Sequence, residues 1–141
     1  MKRGKSQWTS QNLTQHLFFY KIMQTFNNVT VDSIANLYFD GKVVSHTVHL
    51  PDGSRKTLGI IFPGTYRFET AAPELMEITS GSCDVAIDGS NTTRFVPTDE
   101  SFEISGDSGF SLTVNEGVCQ YVCSYLKSYP ACQGNHPRSV P

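Results

Sequence analysis

Turn-forming residues punctuate this chain between residues 36 and 126 at intervals of roughly 8–12 positions, and this spacing restricts the fold more than any other feature. Pro51-Asp52-Gly53-Ser54, Pro63-Gly64, Ser80-Gly81 and Asp88-Gly89-Ser90-Asn91 are the strongest of these signals. Proline presets φ and glycine accepts the positive φ that a tight turn needs. The runs between them are short and many alternate. In Thr65–Thr70 the residues Tyr66, Phe68 and Thr70 fall on one face, and Arg67 and Glu69 on the other. Strands are expected at Lys42–Leu50, Arg55–Phe62, Thr65–Thr70, Leu75–Thr79, Cys83–Ile87, Thr92–Val96, Ser101–Ile104, Phe110–Val114 and Val118–Leu126. No helix-length amphipathic segment interrupts them, so the pattern predicts an all-β sandwich or barrel. No repeat of 20–50 residues points to a solenoid or propeller.

The 141 residues are enough for one domain and too few for separate cofactor and substrate lobes. Texture divides them into a polar N-terminal extension (1–35), a domain (36–126) and a proline-bearing tail (127–141) expected to be loose. A formal net charge of −2 argues against a nucleic-acid binder, which is usually basic. No run of about 18 apolar residues marks a membrane span. The basic N-terminus is followed by an apolar stretch of only Leu17 to Tyr20, shorter than the core of a signal peptide, which predicts a cytoplasmic protein.

Metal and nucleophile motifs are sparse. His46 and His49 are an odd number of residues apart on a strand, so alternation sends them to opposite faces. His16 and His136 lie in the terminal zones, and no metal site is expected. Cys119 and Cys123 are four strand residues, about 13 Å, apart, beyond the Cα separation of about 7 Å that a disulfide spans. They are read as buried free thiols, as are Cys83 and Cys132. There is no G-x-S-x-G elbow and no glycine-rich phosphate loop.

Four groups of residues could carry chemistry. Arg55-Lys56-Thr57 joins a guanidinium, an ammonium and a hydroxyl just after a tight turn, which suits an oxyanion and equally suits a solvated hairpin shoulder. Glu74 and Glu77 are three apart at a strand entry, so at most one of them faces a barrel interior. Tyr66 and Phe68 present an aromatic face, for a flat ligand or for the core. Tyr121 and Tyr125 share a face with Cys119 and Cys123, where a tyrosine hydroxyl could line a cavity.

The strings YFDGKV (38–43), DGSRKTLG (52–59), PGTYRFETAAPE (63–74), MEITSG (76–81) and CSYL (123–126), in this order and spacing, resemble the pyrimidine/purine nucleoside phosphorylases of the cupin superfamily. The resemblance runs from about Asn36 to Leu126 and makes Met23 a plausible start. It implies a single small cupin barrel of jelly-roll type, a homodimer without nucleic-acid or membrane partners, and phosphorolysis of nucleosides with broad base tolerance. The places where metal-binding cupins carry a His-x-His pair fall on Thr70 and Ala72, which implies a barrel without metal. Phosphate is then a co-substrate, and no cofactor is expected.

Phosphorolysis sets demands on such a site. Phosphate needs fixed positive charge, and the oxocarbenium character that develops on the pentose is steadied by a carboxylate. Within the resemblance, Arg55 and Lys56, assisted by Thr57 or Thr70, are the expected phosphate ligands. Glu74 and Glu77 are the candidate catalytic carboxylates, and Tyr66, Phe68 and Tyr125 are expected to line the nucleoside site. The alternative is a cupin module that binds a small molecule without turnover.

Overall fold

The computed structural model describes residues 23–127. His16, Cys132, His136, the apolar stretch from Leu17 to Tyr20 and nearly all of the C-terminal tail lie outside them. The described residues contain eleven strands and no helix: β1 (Thr30–Val31), β2 (Asn36–Tyr38), β3 (Val43–His49), β4 (Arg55–Ile61), β5 (Gly64–Thr70), β6 (Glu74–Ser80), β7 (Ser82–Ile87), β8 (Thr93–Pro97), β9 (Ser101–Ile104), β10 (Ser108–Val114) and β11 (Cys119–Tyr125). Nine of these are the strands expected from the turn spacing, with ends that agree to within two residues. The two short additions, β1 and β2, are edge strands on β3. They have no alternating run of their own and gain their hydrogen bonds from β3, so β1 ties the polar N-terminal extension into the sheet.

Two antiparallel sheets face each other as a small jelly-roll barrel of the cupin type. The larger has the order β1-β3-β4-β11-β6-β9, with β2 also on β3, and the smaller has β5-β10-β7-β8. The last strand of the described residues, β11, sits between β4 and β6 in the middle of the large sheet. That non-local pairing brings the 50s, 70s and 120s together.

Alternation decides what enters the barrel. Val43, Ile61, Met76, Ile78, Val85, Val96, Phe102, Ile104, Phe110, Leu112 and Val114 form one core between the sheets. Each large apolar side chain buried there contributes roughly 1.5–3 kcal/mol of transfer free energy. Phe110 anchors it, stacked on Phe68 at 5.1 Å and edge-on to Phe102 at 5.6 Å. Cys83, Cys119 and Cys123 are buried free thiols in the same interior. β11 is covered on both faces, because Met23, Phe26, Val29 and Val31 lie along the outside of the large sheet with Val48, Leu58, Ile60 and Val122.

Candidate functional site

A cavity of about 150 Å³ opens into the barrel. Its wall is built mainly from the inward positions of β3, β4, β11 and β6, which the register stacks in layers. Tyr125 pairs with Glu74 at one end, beside Arg55. Thr57 and Met76 flank Cys123 in the next layer. Gly59 and Ile78 flank Tyr121 in the third, where Ser45 is Gly59's neighbour on β3. Val43, Ile61 and Cys119 form the last, with Tyr38 opposite Val43. Phe68 and Phe110 of the small sheet close the facing side.

The polar groups of the first two layers are linked. The Cys123 thiol donates to Glu74 Oε2 at 3.6 Å. Thr57 lies beside Cys123 and Tyr125 and pulls the pKa of each down against burial. The Arg55 guanidinium lies 4.3 Å over the Tyr125 ring, a cation–π contact at the rim. Burial pushes the Glu74 carboxyl above its ordinary value of 4.5, while the Cys123 hydrogen bond and the Arg55 charge pull it down. Burial and the neighbouring Glu74 charge push the Cys123 thiol up to about 12, so it is a protonated donor at neutral pH. Burial also raises the Tyr125 and Tyr121 phenols, which remain neutral.

Gly59 makes room for one wall. A Cβ there would sit 2.4–2.5 Å from the Tyr121 ring and hydroxyl, so the ring lies flat on the glycine. The Tyr121 hydroxyl lies beside Ser45, which eases the effect of its burial. Ser45 accepts from Asn36 Nδ2 at 3.2 Å, which fixes β2 and the following turn to the cavity wall.

The structure gathers four of the nine expected site residues, Thr57, Phe68, Glu74 and Tyr125, on the cavity wall, with Arg55 at its rim. It places the other four elsewhere. Lys56 is on the outer face of the large sheet, where its ammonium donates to Ser124 Oγ and lies 5.9 Å from the Phe26 ring. Consecutive strand residues point to opposite faces, so the Arg55–Lys56 dipeptide does not act as one cationic pair. Glu77 follows the same rule and lines an outer recess with Gln24, Asp99 and Ser101. The Thr70 hydroxyl donates to the Ser105 carbonyl at 2.6 Å and accepts from the Ser108 amide at 3.1 Å, which ties a loop to β5. Tyr66 is buried, with its hydroxyl on the Phe62 and Pro63 carbonyls at 2.8 and 3.0 Å.

The histidines also differ from the simplest expectation. His46 and His49 both reach Asp32, at its carbonyl and its carboxylate, each at 3.0 Å. Asp32 follows β1 at the edge of β3, where side chains from both faces can meet it. Among the described residues no three His, Cys, Asp or Glu side chains are grouped to hold an ion.

The sequence profile of the pyrimidine/purine nucleoside phosphorylases matches residues 33–125. The chain belongs to this family. Proteins of that name from Methylococcus capsulatus, Burkholderia multivorans and Sulfurovum sp. are 50%, 54% and 53% identical to it over 103, 101 and 104 residues. Those alignments take in 72–74% of this chain and 94–100% of the relatives. Two solved structures of proteins of unknown function share the fold. One, from Acinetobacter, has a TM-score of 0.70 at 42% identity over 72% of this chain and 98% of that one. The other, from Vibrio parahaemolyticus, has a TM-score of 0.64 at 33% identity over 69% and 99%.

The stretch matched by the phosphorylase family contains every strand that lines the cavity. Tyr38, Ser45 and Cys123 are among the wall residues that sequence reasoning did not single out for a site. Cys123 carried a usable signal, since it shares a strand face with Tyr121 and Tyr125. Tyr38 and Ser45 carried none, because β2 has no alternation and its place on β3 is a tertiary fact.

Proposed function

We propose that the chain cleaves purine and pyrimidine nucleosides by phosphorolysis in this cavity, with broad base tolerance. The C1′–N bond breaks with its electron pair going to the base, an oxygen of hydrogen phosphate bonds to C1′, and the proton that hydrogen phosphate gives up ends on the base nitrogen. The products are the free base and pentose 1-phosphate. Phosphate is a co-substrate, and no cofactor takes part. In this reading Arg55 and Thr57 hold the phosphate, the Glu74 carboxylate steadies positive charge on the pentose, and Tyr125 and Phe68 flank the nucleoside. The reading further takes the protein to be a cytoplasmic homodimer.

The observation that carries the proposal is the convergence of Arg55, Thr57 and Glu74 at one end of a single cavity, in a chain of this family. Fixed positive charge and a partly desolvated carboxylate side by side answer both electrostatic demands of the reaction. The test is incubation of the purified protein with uridine, adenosine or inosine, with and without phosphate. Base and pentose 1-phosphate should be released only with phosphate. Arg55→Ala should raise the phosphate KM about tenfold or more, the scale of a lost charge-assisted contact, while Lys56→Ala changes it far less. Ligand binding without turnover of any of these nucleosides would instead identify a binding module.

A further inference from the structure

The turn Tyr38-Phe39-Asp40-Gly41 is unusual in both backbone and exposure. Phe39, Asp40 and Gly41 have φ of 52°, 57° and 83°, three left-handed residues in succession. Only the glycine adopts that region without penalty, and strained non-glycine residues cluster at functional sites. The conformation turns the Phe39 ring back against Tyr66 at 5.0 Å and edge-on to Phe68 at 5.5 Å. Even so, Phe39 remains 42% exposed, and Tyr38, which lines the cavity, remains 50% exposed.

The size of the cavity makes this shelf relevant. Sites that enclose a small ligand measure about 300–1,000 Å³, against about 150 Å³ here. A nucleoside and a phosphate cannot both be enclosed, so part of the substrate lies at the rim. The strand register orders the wall from Arg55, Tyr125 and Glu74 at one end to Tyr38 at the other. The charged end suits the phosphate and the pentose. At the aromatic end Phe68 completes the surface, and the exposed Glu69 carboxylate is the acidic group nearest to it in the sequence.

We infer that Tyr38 and Phe39 form the nucleobase subsite, an aromatic shelf at the cavity rim that stacks on the face of the heterocycle. This rests on the phosphorolysis reading and extends it, by making base tolerance a consequence of where the base sits. Stacking uses the π face that every base has, whereas a site built on buried hydrogen bonds rejects analogues that cannot complete them. Purines, with the larger face, depend on the shelf more than pyrimidines do.

The experiment has two arms, both on the full chain. In the first, Phe39→Trp is made together with Trp8→Phe, so that the reporter indole is the only one, and adenine and uracil are titrated without phosphate. Saturable quenching is expected, tighter for adenine, and it should weaken at least fivefold when Tyr38→Ala is added. No quenching by either base at millimolar concentration overturns the shelf. In the second arm Phe39→Leu, which keeps the apolar contact with Phe68 but lacks a π face, should raise the nucleoside KM about tenfold for adenosine and less for uridine. Its kcat and phosphate KM should stay within threefold. A nucleoside KM within twofold of wild type for both Phe39→Leu and Tyr38→Ala, in an active enzyme, also overturns it. Failure of wild-type turnover would sink the phosphorolysis reading alone, since the titration decides the shelf without catalysis.

Discussion

In the proposed phosphorolysis Glu74 is the residue on which the chemistry turns, and its surroundings make a pH-dependent prediction. Burial raises its pKa above 4.5. In that reading the carboxylate is the form that steadies a cationic pentose, so the acid limb of kcat/KM, which reports the free enzyme, should lie above the range of an exposed glutamate. Glu74→Gln should remove that limb and lower kcat by about 100-fold, the scale of a lost electrostatic group in a preorganised site. Stability carries the opposite sign. Between 4.5 and the raised value the folded protein holds a proton that the unfolded chain releases. Stability therefore falls as pH rises through this window and is flat above it. Thermal melts of Glu74→Gln across the window should lose that slope, and an unchanged slope would assign it to another group. Gly59 offers a second test at this scale. In Gly59→Ala the new methyl meets the Tyr121 ring, at 2.4 Å in the present geometry. The ring must move off Ser45 and into the cavity. Overpacking of this kind costs about 1–3 kcal/mol, visible as a lower Tm, and the nucleoside KM should rise with it. A variant with wild-type Tm and KM would mean that the tyrosine does not shape the wall.

Among the elements, alternation explains both what the sequence shows and what it hides. A period of two is local, so the face shared by Tyr121, Cys123 and Tyr125 and the separation of Glu74 from Glu77 follow from spacing alone. The same rule separates Lys56 from Arg55, although the density of charge in that tripeptide invites reading them as one site. Thr70 and Tyr66 do face inward, as their alternation requires, yet their hydroxyls are spent on backbone carbonyls. Strand period cannot reveal that, because it depends on loops that return from 63 and from 105. The Cys123–Glu74 contact depends on the pairing of β11 with β6, nearly fifty residues apart in sequence. The fold could thus be read strand by strand from local signals, whereas the site could be read only in part, since its members meet through the insertion of β11 between β4 and β6. The turn after β2 shows the same limit at its sharpest. YFDG marks a turn, but nothing local says that its Phe39 ring will lie against Phe68.

For the whole molecule, the outer face of the large sheet remains to be accounted for. Val48, Leu58, Ile60 and Val122 line a groove there together with Met23, Phe26, Val29 and Val31, and Ile60 and Val31 stay exposed. The N-terminal segment buries Val48 and Val122, while Met23, Val31 and Ile60 stay exposed around it, and exposed apolar residues grouped in this way suit an interaction surface. A two-fold axis through the middle of the sheet would set this face against the same face of a second copy, as closed dimers require. Sedimentation should therefore give twice the chain mass of 15.6 kDa. Ile60→Lys, which sets a charge opposite its symmetry mate near the axis, should give the single mass with the β-sheet circular dichroism unchanged. Because the cavity lies on the opposite side of the sheet, that monomer should keep phosphorolysis within about threefold of wild type. A wild-type protein that sediments as a monomer across the micromolar range would remove the second copy as the partner of this face. A monomeric variant without activity would instead show that the partner subunit completes the site.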